Sequence, residues 1–366
     1  MPRVAEAPVV SVQAHAFKIP TDAPEADGTY RWEATTIVVA EADAAGETGL
    51  GYSYTDASAC GLIRGLLADA VHGIDALDVP AAWIAMTRAV RNVGRPGLAS
   101  TAISALDVAL WDLKAKLLGL PLITLLGEAR ASVAAYGSGG FTTYTDARLA
   151  AQFGEWAAQG VGAVKMKVGS EPGRDAQRVR VAREAIGPAV ELFVDANGAY
   201  GSSEALAQAA HFAEQDVTWF EEPVSSDDLA GLRLMRTRAP AGMRIAAGEY
   251  GYDPRYFHHM LTAEAVDVLQ ADATRCGGVS GFLRAATLAE VHNVPLSAHT
   301  APSLHTTLCC AAAPAINVEY FHDHARIERL LFEGARLPDA GMLVPDRARP
   351  GLGLELRRKD AARHAV

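Results

Sequence analysis

The chain has 366 residues, of which half are hydrophobic and 21% charged, with a formal net charge of −10. Its length exceeds one ordinary domain of about 100–200 residues, and its apolar content excludes wholesale disorder. The acidic balance argues against nucleic acid or an anionic membrane as the main partner. Four cysteines (Cys60, Cys276, Cys309, Cys310) without CxxC spacing indicate neither a disulfide framework nor a zinc knuckle. The opening MPRVAEAPVV meets Glu6 before any long apolar run and does not read as a signal peptide. No run of about 18 apolar residues reads as a membrane span. These priors describe a soluble, cytoplasmic protein in two parts.

The first part runs to Glu128. Val9–Ala16 and Thr35–Ala42 read as strands, and the polar stretch between them, around Gly28, reads as a mobile loop. The clearest helix spans Ser100–Leu118. Ser100 is its expected N-cap, Ile103, Leu106, Leu110 and Leu117 its apolar face, and Gly119 and Pro121 its stop. From Ser132 the rhythm becomes strand then helix. Short apolar runs occur at 133–136, 163–168, 192–194, 217–220, 244–247, 266–270, 294–297 and 316–318. Eight runs roughly 20–30 residues apart, most with an alanine-rich helical stretch between them, predict a parallel (β/α)8 barrel of TIM type. The expected organisation is an α+β capping domain at 1–128, a barrel at 129–336, and a Pro- and Gly-rich tail at 337–366 that packs back on the cap.

Seven of these runs end in an ionisable residue: Lys165 and Lys167, Asp195, Glu221, Glu249, Asp272, His299 and Glu319. In a barrel, strand C-termini converge on one face, where catalytic groups sit. Asp195, Glu221 and Glu249 would come from three adjacent strands and offer only oxygen. Three converging carboxylates repel one another, and a hard divalent cation, Mg²⁺ by preference, resolves the conflict. Three separately salt-bridged carboxylates are the plainer alternative. Glu222 is expected to pair with a helix lysine or arginine. Lys165 and Lys167 face the same way on a strand, so each should depress the other's pKa and make one a base near neutral pH. Asp272 and His299 could form a dyad in which the carboxylate fixes the imidazole tautomer. Glu319, if protonated, could donate a hydrogen bond to a developing negative charge. Together these groups suit removal of a proton next to a metal-bound carboxylate. Gly160-Val161-Gly162 precedes a strand and reads as a turn. Gly277-Gly278 reads as a tight βα turn in preference to a phosphate site, and His322-Asp323-His324 reads as loop.

The set Lys165-Met166-Lys167, Val194-Asp195-Ala196-Asn197, Glu221-Glu222-Pro223, Gly248-Glu249, Asp272 with Gly277-Gly278, Ser297-Ala298-His299 and Glu319 resembles the mandelate racemase subgroup of the enolase superfamily, over nearly the whole chain. The resemblance implies Mg²⁺ on Asp195, Glu221 and Glu249. It also implies Lys167 as one acid/base catalyst and His299, oriented by Asp272, as the other. Lys165 would tune Lys167 and touch the substrate carboxylate, and Glu319 would hydrogen-bond it. A homo-oligomer, octamer or dimer, is implied as well. Members of the subgroup dehydrate acid sugars or racemise 2-hydroxy acids with the same lysine and histidine. Dehydration of an aldonate or aldarate is the favoured reading, racemisation the alternative, and a non-catalytic barrel the remote one. The segment around Phe17–Trp32, carrying Lys18, Asp22, Tyr30, Arg31 and Trp32, is expected to close over the site. Asn197, Tyr30 and Trp32 are further candidate substrate contacts.

Overall fold

The computed structural model describes residues 6–366, so the first five residues of the opening segment lie outside the described residues. Three antiparallel strands, β1 (Ser11–Ala26), β2 (Arg31–Ala44) and β3 (Glu47–Tyr54), form one sheet in that order. β1 and β2 are far longer than their apolar runs, and most of the expected 17–32 loop is paired strand. Only residues 27–30 turn, closed by Asp27 N–H donating to the Tyr30 carbonyl at 3.0 Å. The β1–β2 register shifts between Pro20 and Glu25, where proline removes a ladder donor. β3 was not anticipated, because glycines 49 and 51 dilute its strand signal. They are there for packing: a Cβ on Gly49 would lie 2.1 Å from the Ala109 carbonyl oxygen, and one on Gly51 would lie 2.2 Å from that of Ala105.

Those carbonyls belong to the helix Leu98–Leu117, buried along most of its length between the sheet and the barrel helix Gly278–Val291. Its N-cap is Gly97 at φ 77°, not Ser100, whose hydroxyl instead donates to the Tyr252 carbonyl at 2.6 Å. The cap helix thus bonds directly to the loop after a barrel strand.

Eight parallel strands close the barrel: β4 (Val133–Gly139), β5 (Ala163–Lys167), β6 (Glu191–Asp195), β7 (Val217–Glu221), β8 (Arg244–Ala247), β9 (Val268–Ala271), β10 (Leu296–Ala298) and β11 (Ala315–Phe321). They pair in sequence order, and β11 pairs back to β4. Each coincides with one predicted run. Tyr136, Phe193, Trp219, Ala246 and Val268 fill the barrel interior below the strand ends, so the barrel is packed and not a pore. No helix among the described residues is long and apolar enough to cross a membrane.

After the barrel, Met342–Leu343 adds antiparallel to β4, Leu122 N–H donates to the Gly351 carbonyl at 2.7 Å, and Arg358 pairs with Glu41 of β2 at 2.5 Å. His322-Asp323-His324 is not loop. It opens the helix His322–Leu331, with Asp323 and His324 buried. The Asp323 carboxylate accepts from Thr35 of β2, fastening that helix to the cap sheet.

Candidate active site

Parallel pairing in register carries the strand-end residues to one level. Lys167 is opposite Asp195, and Asp195 opposite Glu221. Glu249 follows Gly248 beyond β8. At Gly248, φ is 135° and a Cβ would lie 2.2 Å from the Gln270 carbonyl oxygen, so only glycine lets the chain turn Glu249 inward. Asp195, Glu221 and Glu249 are all buried, each with a ligand oxygen within 4.8 Å of the others'. Glu249 Oε2 is buried and makes no well-formed hydrogen bond, its polar neighbour being His299 Nε2 at 3.2 Å. Burial and the Asp195 charge push the Glu221 carboxyl well above its usual range. A buried, all-oxygen trio that repels itself and holds a free acceptor fits a hard divalent cation.

The lysines supply part of the missing positive charge. Lys165 Nζ contacts Glu221, Glu319 at 2.8 Å and Asp195 at 3.5 Å, while Lys167 Nζ donates to Asp195 at 2.5 Å and to Asn197 Oδ1 at 3.1 Å. Burial disfavours the charge on Lys167, but the carboxylates of Asp195, Glu249 and Glu319 together outweigh it and hold the pKa above the ordinary lysine value. Lys165 acts the other way, as expected of a neighbouring cation, yet the surrounding carboxylates dominate, contrary to the expected net depression. Glu319 is no hydrogen-bond donor here. Its Oε1 accepts from Ser138 and Lys165, and its Oε2 from the Thr300 N–H at 3.0 Å. Burial works against its charge, but Lys165 and the other cations keep it far below the usual carboxylate range.

On the opposite side His299 Nδ1 lies 2.9 Å from Asp272 Oδ2, and Nε2 lies 3.2 Å from Glu249 Oε2. Burial opposes the Asp272 charge, but the hydrogen bond with His299 and that ring's charge pull its pKa well below the usual range. Two neighbours that the sequence reading passed over hold this dyad. Arg275 Nη1 reaches Glu249 Oε1 at 3.3 Å, and its Nε lies 3.6 Å from Asp272. His305 Nδ1 lies 2.7 Å from the Thr300 carbonyl, and its Nε2 accepts from the Ala273 N–H at 2.9 Å. That pattern defines a neutral His305 which braces Thr300 and Ala301, both in the left-handed region at φ 51° and 40°. Asp272-x-x-Arg275 was readable as a spacing. His305 sits on an apolar helix and carried no signal. Glu222 makes no ion pair among the described residues: it is buried, with Oε1 unpartnered. A strand end buried on both faces leaves no helix cation within its reach.

A cavity of about 470 Å³ opens above these groups, lined by Lys167, Asn197, Glu249, Arg275, His299 and part of the cap. Of the five side chains named for the 17–32 segment, Tyr30 and Trp32 line it. Asp22 is held by His322 at 3.0 Å and Arg148 at 3.3 Å, Arg31 faces Glu33 at 3.7 Å, and Lys18 is not in the lining. In a paired hairpin, alternate residues point away from the site, which a loop reading cannot distinguish.

Buried oxygen ligands at the top of a closed barrel, with an ammonium on one side and a carboxylate-backed imidazole on the other, define a metal-dependent acid/base enzyme. Residues 17–127 match the mandelate racemase / muconate lactonizing enzyme N-terminal domain, and residues 148–361 the enolase C-terminal domain-like family. The chain belongs to the mandelate racemase subgroup of the enolase superfamily. It is 30% identical to D-galactarolactone cycloisomerase of Agrobacterium fabrum, over 96% of this chain and 97% of that one. It is 34% identical to L-talarate/galactarate dehydratase of Salmonella typhimurium, over 87% and 80% of the two. A mandelate racemase/muconate lactonizing enzyme-like protein from Rubrobacter xylanophilus superposes with a TM-score of 0.96 at 51% identity, covering 98% of this chain and 100% of that one. A racemase from Streptomyces coelicolor A3(2) with bound magnesium gives 0.92 at 29% identity, with the same coverage.

Proposed function

We propose that the protein is a Mg²⁺-dependent dehydratase of an acid sugar, giving a 2-keto-3-deoxy acid. The observation that carries this reading is the placement of Lys167 and the His299–Asp272 pair on either side of the carboxylate trio. Asp195, Glu221 and Glu249 would hold the cation. When bound, Mg²⁺ offsets the carboxylates' charge, acidifies the C–H beside a substrate carboxylate and stabilises the resulting enediolate. Lys165 meets the substrate carboxylate by charge, and the ionised Glu319, accepting from Lys165 at 2.8 Å, holds that ammonium in place. With a bound cation offsetting the Asp195 charge that otherwise keeps Lys167 protonated, Lys167 would give up its extra proton to solvent. As the neutral amine it takes the α-proton, while the Asn197 amide oxygen orients that amine by accepting from it. As an imidazolium, His299 donates Nδ1–H to Asp272 and offers its Nε2 proton to the β-hydroxyl, which leaves as water. The enol that remains ketonises to the product.

The division of labour assigns 1–128 to a cap that closes the cavity, 129–336 to the chemistry, and 337–366 to a strap returning to the cap. The contacts of Gly351 and Arg358 with the cap support that last assignment. A cytoplasmic homo-oligomer completes the reading. Racemisation of a 2-hydroxy acid uses the same two bases, one removing and the other returning the α-proton. Product identity separates the two reactions. A library of sugar acids and 2-hydroxy acids, incubated with enzyme and Mg²⁺, is expected to yield a 2-keto acid from a sugar acid. An inverted 2-hydroxy acid with no keto product would establish the racemase instead.

A further inference from the structure

Beyond the strand-end groups, the cavity lining comes from the cap and from the helix His322–Leu331, and includes Asp27, Thr35, Thr36, Thr55, Asp56 and His324. His324 is buried, its ring nearly parallel to Tyr54 at 11° and edge-on to Phe321 at 5.0 Å. Neither ring nitrogen hydrogen-bonds another residue among those described, and Nδ1 is fully buried without a partner. Burial, reinforced by His299, holds its pKa well below the ordinary histidine value. A neutral imidazole carries one donor and one acceptor, which matches a hydroxyl better than an anion.

The charged groups that the cap gives to this lining are the carboxylates of Asp27 and Asp56, and no cap lysine or arginine among the described residues joins them. Each uses Oδ1 to accept from its own turn, Asp27 from Tyr30 N–H and Asp56 from Ser58 N–H, leaving Oδ2 without a hydrogen-bond partner among the described residues. Lys18 acts on Asp56 from outside the lining. Arg275, the arginine of the lining, is taken up by Glu249 and Asp272. A second carboxylate on the substrate's tail would therefore meet like charge with no cation to receive it, whereas hydroxyls would find partners.

We infer that the cavity is built for a polyhydroxy monocarboxylate, an aldonate, in preference to the matching dicarboxylate, with His324 hydrogen-bonding the hydroxyl tail. The inference rests on the acid-sugar reading above. Its test presents enzyme and Mg²⁺ with five- and six-carbon aldonates and aldarates of matched configuration and follows 2-keto acid formation. An aldonate is expected to react with kcat/KM about tenfold or more above its matched aldarate. His324→Phe, which keeps the stack on Tyr54, lowers that kcat/KM about tenfold, mainly through KM, and His324→Gln restores part of it. Asp56→Asn, which keeps its Oδ1 acceptor, raises the ratio of aldarate to aldonate turnover. An aldarate turned over as well as its aldonate overturns the inference while leaving dehydration in place. A His324→Phe enzyme with unchanged KM overturns the role of His324. If no acid of either class reacts or exchanges its α-proton, the acid-sugar reading fails and the inference falls with it.

Discussion

In the proposed reaction Lys167 and His299 act on the substrate from different strands, and their substitution separates two events. Lys167→Ala should lower kcat by about 10²–10⁴-fold and abolish exchange of the substrate α-proton in D₂O. His299→Asn should lower keto-acid formation comparably yet leave α-proton exchange measurable, because the base remains. Mass spectrometry of recovered substrate checks both outcomes; exchange lost in His299→Asn and kept in Lys167→Ala would reverse the assigned roles, and equal loss in both would contradict them. The strand-end residues were legible in the sequence because each terminates a short apolar run, and eight such runs fix where strand C-termini converge. Arg275, His305 and His324 were not. Their positions depend on how a loop or helix packs after the strand, and a lone polar residue on an apolar helix resembles any satisfied core residue. The protonation of Glu319 was also out of reach, since it is set by Lys165 and Ser138 arriving from other strands.

At the scale of elements, the β1–β2 hairpin is the part read least well. Its polar composition suggests a loop, but backbone pairing with β2 overrides composition once Asp22 and Thr35 find partners on the barrel side and Glu25 finds one in Trp32 of β2. Glu25 is fully buried beneath the hairpin, accepting from Trp32 Nε1 at 2.8 Å. Burial and then the nearby Asp323 charge push its pKa up to about 8, from an ordinary 4.5. The folded chain therefore holds this proton more tightly than the unfolded one. The stabilisation is fully present below pH 4.5 and is lost as the pH rises through 8, at up to about 1.4 kcal/mol per pH unit. Denaturant unfolding across that window should show the decline, and Glu25→Gln should flatten it. A wild-type slope unchanged by the substitution would remove Glu25 as its source. The same hairpin carries Tyr30 and Trp32 to the cavity, so its anchoring is a matter of function as well as stability.

For the molecule as a whole, cap and barrel are one working unit. The helix Leu98–Leu117 meets the barrel at its Gly277–Gly278 turn. There Ser104 Oγ accepts from the Gly277 N–H at 2.8 Å, and Asp107 accepts from the Ser280 N–H at 2.9 Å. A Cβ on Gly278 would lie 2.3 Å from the Asp107 carboxylate, which gives a packing reason for a glycine at the turn that the sequence reading preferred to a phosphate site. The net charge of −10 describes the surface; the carboxylates that define the chemistry are buried and mutually opposed. The central claim is that these carboxylates hold a cation which makes an α-proton removable by Lys167. It is tested most directly by incubating metal-stripped enzyme with sugar acids in D₂O, before and after Mg²⁺ is restored. Deuterium incorporation at the α-carbon, or a 2-keto acid, should appear only with Mg²⁺ and vanish again with EDTA. Undiminished turnover by the metal-stripped enzyme would contradict the account.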